Sequence, residues 1–308
     1  MKKKLMVYYI IIGLVCIVSV NLYFSFLSTS VFIDYEEEIT QCTEYLNFSD
    51  AEREKYDKTY HGSPSIEECE YVISGEGKPA SFFLLYERVM TEGLLMWIFP
   101  FFAPLLFLFP LVYTITSELN SNYIKYYLLR KKYKQYIFDL FKKSYKYIVI
   151  VLLILAYVII ASLIKSNFNM DPTLDVLVNS LGRETLMFYN DYKPYVIYFV
   201  VIILNLLTYV NITLIVLRYN HKNFLISMIE SFLAIYLWWV FTFVIVGVQL
   251  DKYMGIMSEQ VNLLEMYTWH SITDPNIYLI TNIIYFVISL GIALYAYRDK
   301  EKFIMKGE

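Results

Sequence analysis

The stretch YVIYFVVIILNLLTYVNITLIVL, which occupies residues 195–217, contains no charged side chain. A helix rises about 1.5 Å per residue, so a bilayer core of about 30 Å is crossed by about 20 mostly apolar residues. This stretch has that length and composition and is therefore predicted to be a transmembrane helix. Five further stretches are predicted to cross the membrane in the same way: 5–27, 94–116, 147–164, 224–248 and 277–297.

The composition of the whole chain agrees with a membrane protein. Of its 308 residues, 58% are hydrophobic and 18% are charged, whereas soluble domains are about 45–50% apolar and about 25% charged. An aromatic content of 19% excludes a disordered chain, and three cysteines are too few for a disulfide scaffold. The predicted fold class is an all-α polytopic membrane protein, with one transmembrane domain over residues 1–308.

The lysine and arginine residues predict the orientation, because these residues accumulate in cytoplasmic loops. Four connecting or terminal segments are basic, and the three others are acidic. The basic residues are Lys2, Lys3, Lys4, Lys125, Arg130, Lys131, Lys132, Lys134, Lys142, Lys143, Arg218, Lys222, Arg298, Lys300, Lys302 and Lys306. The acidic residues are Glu36, Glu37, Glu38, Asp50, Glu52, Glu67, Glu68, Glu70, Asp171, Asp175, Glu184, Asp191, Asp251, Glu259, Glu265 and Asp274. Both termini and segment 117–146 are thus predicted to be cytoplasmic, and segments 28–93 and 249–276 extracellular.

The first span has a cleaved signal peptide as an alternative. Its apolar run is longer than the h-region of about 7–15 residues in such peptides, and Ser28, Thr29 and Ser30 form only a weak cleavage site. We therefore expect the span to be retained. The abundance of Ile, Lys, Tyr and Asn is typical of AT-rich bacterial coding, so the expected location is the plasma membrane of a bacterium.

Glu230 is the one ionisable residue that the sequence places inside a predicted span. A charge at that depth costs about 2.5–3.5 kcal/mol or more and is kept where it has a partner or a function. One interpretation is a structural pair with Arg218, Lys222 or a neighbouring helix. The other is a role in substrate contact or gating.

Groups for catalysis or metal binding are not brought together by the sequence. Residues 74–79, SGEGKP, have proline where a P-loop requires Ser or Thr, and Val72 stands in place of its first glycine. His61, His221 and His270 lie in different loops, so they predict no metal cluster and no catalytic triad. We expect a chain that is not an enzyme, binds no cofactor or metal itself and has no nucleic-acid partner.

The two long outer segments carry further predictions. Segment 28–93 is expected to form a small acidic and partly helical cap. Cys42 and Cys69, which lie in this segment, are expected to form a disulfide because that side of the membrane is oxidising. Two unpaired thiols are the alternative. Ser49 followed by Glu52 at the third helical position predicts a helix N-terminus. Segment 249–276 is expected either to dip into the membrane interface or to form an ordinary outer loop.

The stretch TSELNSNYIKYYLLRKKYKQYIFDLFKK, residues 116–143, carries a family resemblance. It resembles the first cytoplasmic loop of the permeases of type-2 ABC exporters, in which a glutamate ends span two, a short helix follows, and a basic and aromatic run enters span three. Glu118, residues 124–130 and residues 133–143 take those places. The chain departs from the pattern at residues 120–122, where a glycine is usual, and at Lys131, where a proline is usual. The six-span layout and the long first outer segment are also similar to one branch of that family.

The resemblance implies a membrane subunit that works with other chains. Two such subunits, the same chain or a homologous one, form the pore, and two separate ATPase subunits, which hold ATP and Mg, grip the short loop helix. The implied coupling residues are Glu118, Ile124, Tyr127, Leu128 and Arg130. The implied activity is outward transport of a peptide, bacteriocin, antibiotic or other amphipathic substrate.

Two alternatives remain open at this point. A basic juxtamembrane loop obeys the positive-inside rule and binds anionic lipid of the bilayer without any partner, at about 1 kcal/mol per cation. That alternative explains the charge of the loop, but not its apolar residues at helical spacings, which suit a groove on a partner. The second alternative is a non-transporting scaffold, sensor or immunity protein, which recognises a cationic peptide through the acidic outer segment.

Overall fold

A computed structural model of the chain describes residues 2–59, 65–74, 81–83, 85–86, 94–121, 123–170, 193–221, 223–256 and 275–298. Most of these residues are helical, and none of them lies in a strand. The helices are α1 Lys2–Asn47, α2 Asp50–Thr59, α3 Ile66–Ser74, α4 Leu94–Asn120, α5 Tyr123–Leu128, α6 Tyr133–Tyr145, α7 Val149–Lys165, α8 Lys193–Tyr219, α9 Phe224–Val240, α10 Val248–Met254 and α11 Pro275–Ala296. A 3₁₀ turn, Lys146–Ile148, joins α6 to α7, and a π-helical turn, Phe241–Gly247, joins α9 to α10.

Four helical stretches of the described chain are long and apolar enough to cross a membrane. They are Tyr133–Lys165, Val196–Tyr219, Phe224–Met254 and Pro275–Ala296. These stretches contain four of the six predicted spans, 147–164, 195–217, 224–248 and 277–297, apart from single residues at two ends. The other two predicted spans, 5–27 and 94–116, lie within α1 and α4, and a six-span chain stays a prediction.

Two helices extend beyond the predicted spans. α1 continues to Asn47 instead of ending with its apolar run near residue 27. Residues 28–47 contain neither glycine nor proline, so the helix has no residue that would interrupt it where it turns polar. Likewise, the third span begins within a helical stretch that already starts at Tyr133.

α9 differs from a helix of a soluble protein because it buries small polar side chains and exposes large apolar ones. Ser227 and Ser231 are buried on its inner face, and Ser231 Oγ donates a hydrogen bond to the Ser227 carbonyl at 2.7 Å. The opposite face carries large apolar side chains that are all more than half exposed: Leu225, Ile229, Leu233 and Leu237. An exposed apolar stripe over a small polar inner face is typical of a helix that contacts lipid.

Chain contacts divide the protein into two compact units, Met1–Ile12 with Leu94–Leu155 and Asp191–Glu308, and Gly13–Gly93 with Ala156–Asn190. In the first unit, α8 is the most buried of the four candidate spanning helices. It packs against α11, α9 and α4. Several of its side chains are completely buried: Ile202, Leu206, Val210 and Leu214.

In the second unit, the end of α1 packs with α2 and α3. α2 begins at Asp50, directly after Ser49, and the Ser49 backbone N–H donates a hydrogen bond to Glu52 Oε2 at 2.8 Å. The helix start predicted at Ser49 is therefore confirmed. Arg53 closes the end of α1, because its Nε donates to the Tyr45 carbonyl at 3.1 Å and its Nη2 donates to the Leu46 carbonyl at 2.6 Å.

Cys42 and Cys69 lie in one hydrophobic cluster of this second unit, together with Tyr45 and Val72. Both cysteine side chains are buried. We expect them to be bridged in cells, which would stabilise the cluster by about 3 kcal/mol through the loop that the bond closes. Mass analysis of unreduced peptides from fresh membranes measures the bridge, with Cys42→Ser as the control. Recovery of both thiols in alkylated form, without prior reduction, would contradict the prediction.

Candidate functional site

The loop between α4 and α7 folds into the two short helices α5 and α6. α5 ends in a tight turn, where the backbone N–H groups of Arg130 and Lys131 both donate to the Tyr127 carbonyl at 3.0 Å. α6 begins after Lys132, whose backbone N–H donates to Gln135 Oε1 at 3.3 Å. The short helix expected over residues 124–130 thus lies at Tyr123–Leu128.

One face of this loop is packed into the first unit. Ile124 of α5 is buried, and so are residues of α6 that repeat at helical spacing, Tyr136, Leu140, Phe141 and Ser144. The Tyr127 ring meets the Tyr136 ring edge to face, with 5.4 Å between their centroids. Because aromatic and aliphatic side chains fill the space between α5 and α6, the loop has a defined shape.

A polar bridge fastens α5 to α6. The Tyr127 hydroxyl donates a hydrogen bond to the Asp139 carboxylate, and Lys131 Nζ lies 3.2 Å from Asp139 Oδ2. The hydrogen bond to Asp139 raises the pKa of the Tyr127 hydroxyl. Hydrogen bonds to Tyr127 and Asp139 raise the pKa of the Lys131 ammonium. Near neutral pH the phenol is therefore protonated and the ammonium is charged, which are the forms that this bridge requires.

Two contacts anchor the loop to the ends of other helices. Glu118, in the last turn of α4, forms an ion pair with Lys143 of α6. The Glu118 side chain is only 18% exposed, so this pair is screened less than a surface pair. The Tyr133 hydroxyl donates to the Tyr297 carbonyl at 2.7 Å, just after the end of α11.

A buried polar chain links α6 to the centre of the first unit. The Tyr145 hydroxyl donates to Asn211 Oδ1 at 2.8 Å, and Asn211 Nδ2 donates to Ser289 Oγ at 3.0 Å. Asn211 lies on α8 and is completely buried. One amide thus connects α6, α8 and α11.

Replacing Asn211 with leucine is expected to lower the free energy of unfolding by about 1–2 kcal/mol, because two interhelical hydrogen bonds are lost. Thermal unfolding of the purified chain in detergent measures the effect. Thr213→Val is the matched control, since Thr213 is buried on the same helix and its Oγ1 donates to the Tyr209 carbonyl of that helix. A loss in Asn211→Leu no larger than in the control would contradict a linking role.

The opposite face of the loop is apolar and basic, and it is open to solvent. Tyr126 is 68% exposed, Leu129 is 82% exposed and Phe138 of α6 is 67% exposed. Arg130 and Lys134 are exposed beside them. We call Tyr126, Leu129, Arg130 and Phe138 the loop surface. Its mixture of large apolar and cationic side chains is typical of a protein interface.

The predicted coupling residues divide between the two faces of the loop. Arg130 lies on the loop surface, and Leu128 is half-buried. Ile124 is buried, so its side chain does not face a partner. Tyr127 is half-buried, and its hydroxyl is bonded to Asp139 of α6. Tyr126, Leu129 and Phe138 were not predicted. α5 has apolar residues on both sides, so its sequence gives no periodicity that would identify the exposed face.

Glu230 is held by a neighbouring turn. Asn220 Nδ2 lies 2.8 Å from both of its carboxylate oxygens. The predicted partner Arg218 instead donates from Nε to the Ala296 carbonyl at 3.0 Å, and Lys222 lies outside the described residues. The contacts of Glu230 are thus those of a structural pair within the α8–α9 connection.

Other predicted features fall partly outside the described residues. His61, His270, residues 75–79 and residues 257–274 of the outer loop are not described. Within the described ranges, no three His, Cys, Asp or Glu side chains lie close enough together to hold a metal ion.

No protein family model matches the chain, and no match was found among curated proteins or solved structures.

Proposed function

We propose that the chain is the permease subunit of an ATP-driven exporter of the type-2 ABC kind. The observation that carries this proposal is the loop surface. Large apolar side chains stand exposed on a loop that is firmly packed on its other side, and α6 runs on into an apolar helix. A solvent-exposed apolar surface on a fixed support is suited to binding another protein.

The proposed layout has six spans, with the predicted spans in α1 and α4 completing the four candidate helices. Both termini and the loop surface face the cytoplasm, and α2 and α3 lie outside. Two copies, or this chain and a homologous one, form the pore in the plasma membrane. A separate ABC ATPase, which holds ATP and Mg, binds each loop surface.

In the proposed mechanism the loop transmits movement. When the two ATPases close, they push on α5, and the Tyr127–Asp139 bridge passes the displacement to α6. Glu118 and Tyr133 connect α6 to α4 and α11, so these helices move with it. The spans then shift between a closed state and a state that releases an amphipathic peptide or drug outward.

Purification from the native membrane tests this function. The full chain, tagged and isolated in mild detergent, is expected to bring down an ABC ATPase in equal molar amount and to show ATP hydrolysis. Absence of such a subunit, across several mild detergents and after chemical cross-linking in cells, would exclude the exporter. The leading alternative would then be a non-transporting scaffold, sensor or immunity protein that recognises a cationic peptide through the acidic outer segment 28–93.

Reporter fusions test the topology separately. Fusions after Lys143 and at the C-terminus are expected to be active as cytoplasmic reporters, because the flanking segments are basic. Fusions at residues 75 and 258 are expected to be active as external reporters. An externally accessible C-terminus would contradict the six-span chain.

A further inference from the structure

An apolar cleft of about 790 Å³ lies between α6 and α11. Its walls are two stripes at helical spacing, with Ile137, Phe141 and Tyr145 on α6, and Phe286, Leu290 and Leu294 on α11. The volume falls within the range of about 300–1,000 Å³ that is usual for pockets binding small amphiphilic molecules. Phe138 of the loop surface also lines the cleft, whereas Tyr126, Leu129 and Arg130 do not.

The rim of the cleft is cationic. Lys134, Lys142 and Arg298 line it, and Lys134 and Lys142 are exposed. Among the described residues that line the cleft, none carries a carboxylate. Asp139, the carboxylate nearest along α6, is bonded to Tyr127 and Lys131. The charge of the cleft is therefore complementary to an anion.

The polar and apolar parts are arranged along α11. Arg298 lies just beyond the end of that helix, whereas Leu290 and Phe286 lie about 12 Å and about 18 Å back along it at 1.5 Å per residue. A ligand that fills the cleft thus places a charged group at one end and a long apolar group along the helices.

We propose that this cleft is a binding site for one acidic phospholipid of the bilayer. Lys134 lies at the Arg298 end of the cleft, because Tyr133 next to it bonds to Tyr297, and it holds the headgroup phosphate with Arg298 beside it. Lys142 lies about 12 Å further along α6 and adds its positive charge to the cleft. An acyl chain lies against Phe286 and Leu290. Basic pockets between membrane helices hold acidic headgroups in this way. The lipid would brace α6 against α11 next to the Tyr133–Tyr297 contact.

Native mass spectrometry of the purified full chain tests this site. Phosphatidylglycerol and phosphatidylcholine with identical acyl chains are titrated separately, and glycerol phosphate is added as a headgroup without chains. We expect one phosphatidylglycerol to bind at least tenfold more tightly than phosphatidylcholine, and glycerol phosphate not to compete. Lys134→Gln with Lys142→Gln is expected to weaken that binding about 25-fold, since each cation contributes about fivefold.

Two further variants separate this site from general electrostatic attraction. Lys132→Gln with Lys146→Gln removes the same charge from exposed positions of the same segment that do not line the cleft, and is expected to leave phosphatidylglycerol binding within twofold. Leu290→Trp fills the apolar part and is expected to abolish the tight adduct. Equal binding of both lipids, an equal loss in the two lysine pairs, or full binding in Leu290→Trp would each overturn the proposal. Loss of the ATPase partner would not affect it.

Discussion

Tyr126→Asp combined with Leu129→Asp is expected to abolish copurification of the ATPase, lowering its affinity by about 100-fold or more. Both side chains are more than two-thirds exposed, so the changes do not disturb the interior of the loop. In a complex they would place two charges in a desolvated apolar contact, which costs several kcal/mol. The ratio of ATPase to tagged chain after purification measures the result.

A matched control exists at the end of α10. Tyr253 and Met254 are an exposed aromatic and an exposed aliphatic residue, and the proposed topology places them on the outer side. Tyr253→Asp with Met254→Asp makes the same chemical change and is expected to keep the ATPase bound. Retention of the partner by the Tyr126 and Leu129 variant, or an equal loss in both variants, would remove the loop surface as the docking site.

Exchange of the Glu118 and Lys143 charges is expected to give the second largest effect. Glu118→Lys places two cations in one partly buried contact, and we expect unfolding free energy to fall by about 1–2 kcal/mol, between the values for surface and buried pairs. ATP hydrolysis by the complex should fall with it. Adding Lys143→Glu restores the opposite charges and is expected to recover at least half of both losses.

The milder variant Glu118→Gln separates assembly from coupling. It keeps the size of the side chain and removes the charge that binds Lys143. We expect the ATPase to remain bound while ATP-driven export falls, because the carboxylate contacts α6 within the chain. Failure of the double exchange to recover stability, or loss of the ATPase in Glu118→Gln, would contradict this role.

The helices could be predicted from the sequence because hydropathy and helix-breaking residues are local properties. The start of α2 at Ser49 and the apolar stretches of α8, α9 and α11 follow directly from them. The length of α1 could not be predicted, because the end of an apolar run marks the end of the hydrocarbon layer and not the end of a helix. Its polar continuation to Asn47 contains no breaking residue.

The position of the short loop helix could be predicted from the sequence, but the orientation of its side chains could not. Glu118 pairs with Lys143 of the neighbouring helix α6. Tyr127 and Leu129 are both large residues of a basic segment, yet Tyr127 is half-buried and bonded to α6, whereas Leu129 is 82% exposed. The difference depends on Asp139, twelve residues after Tyr127, and on Tyr136. A six-residue helix gains its orientation from such tertiary contacts and not from its own pattern.

The π-helical turn Phe241–Gly247 keeps the inner face of the fifth predicted span in phase. Buried positions before it are four residues apart, at Ser227, Ser231 and Ile235, whereas Thr242 and Gly247 within it are buried five apart. A regular α-helix turns about 100° per residue, so the wider turn absorbs a rotation that would carry Gly247 away from that face. Conversion of the π-helical turn to α-helix would rotate α10 about its own axis by about 100°, the rotation of one residue. Rotation of the α10 end of this predicted span therefore requires no hinge and no break in the backbone.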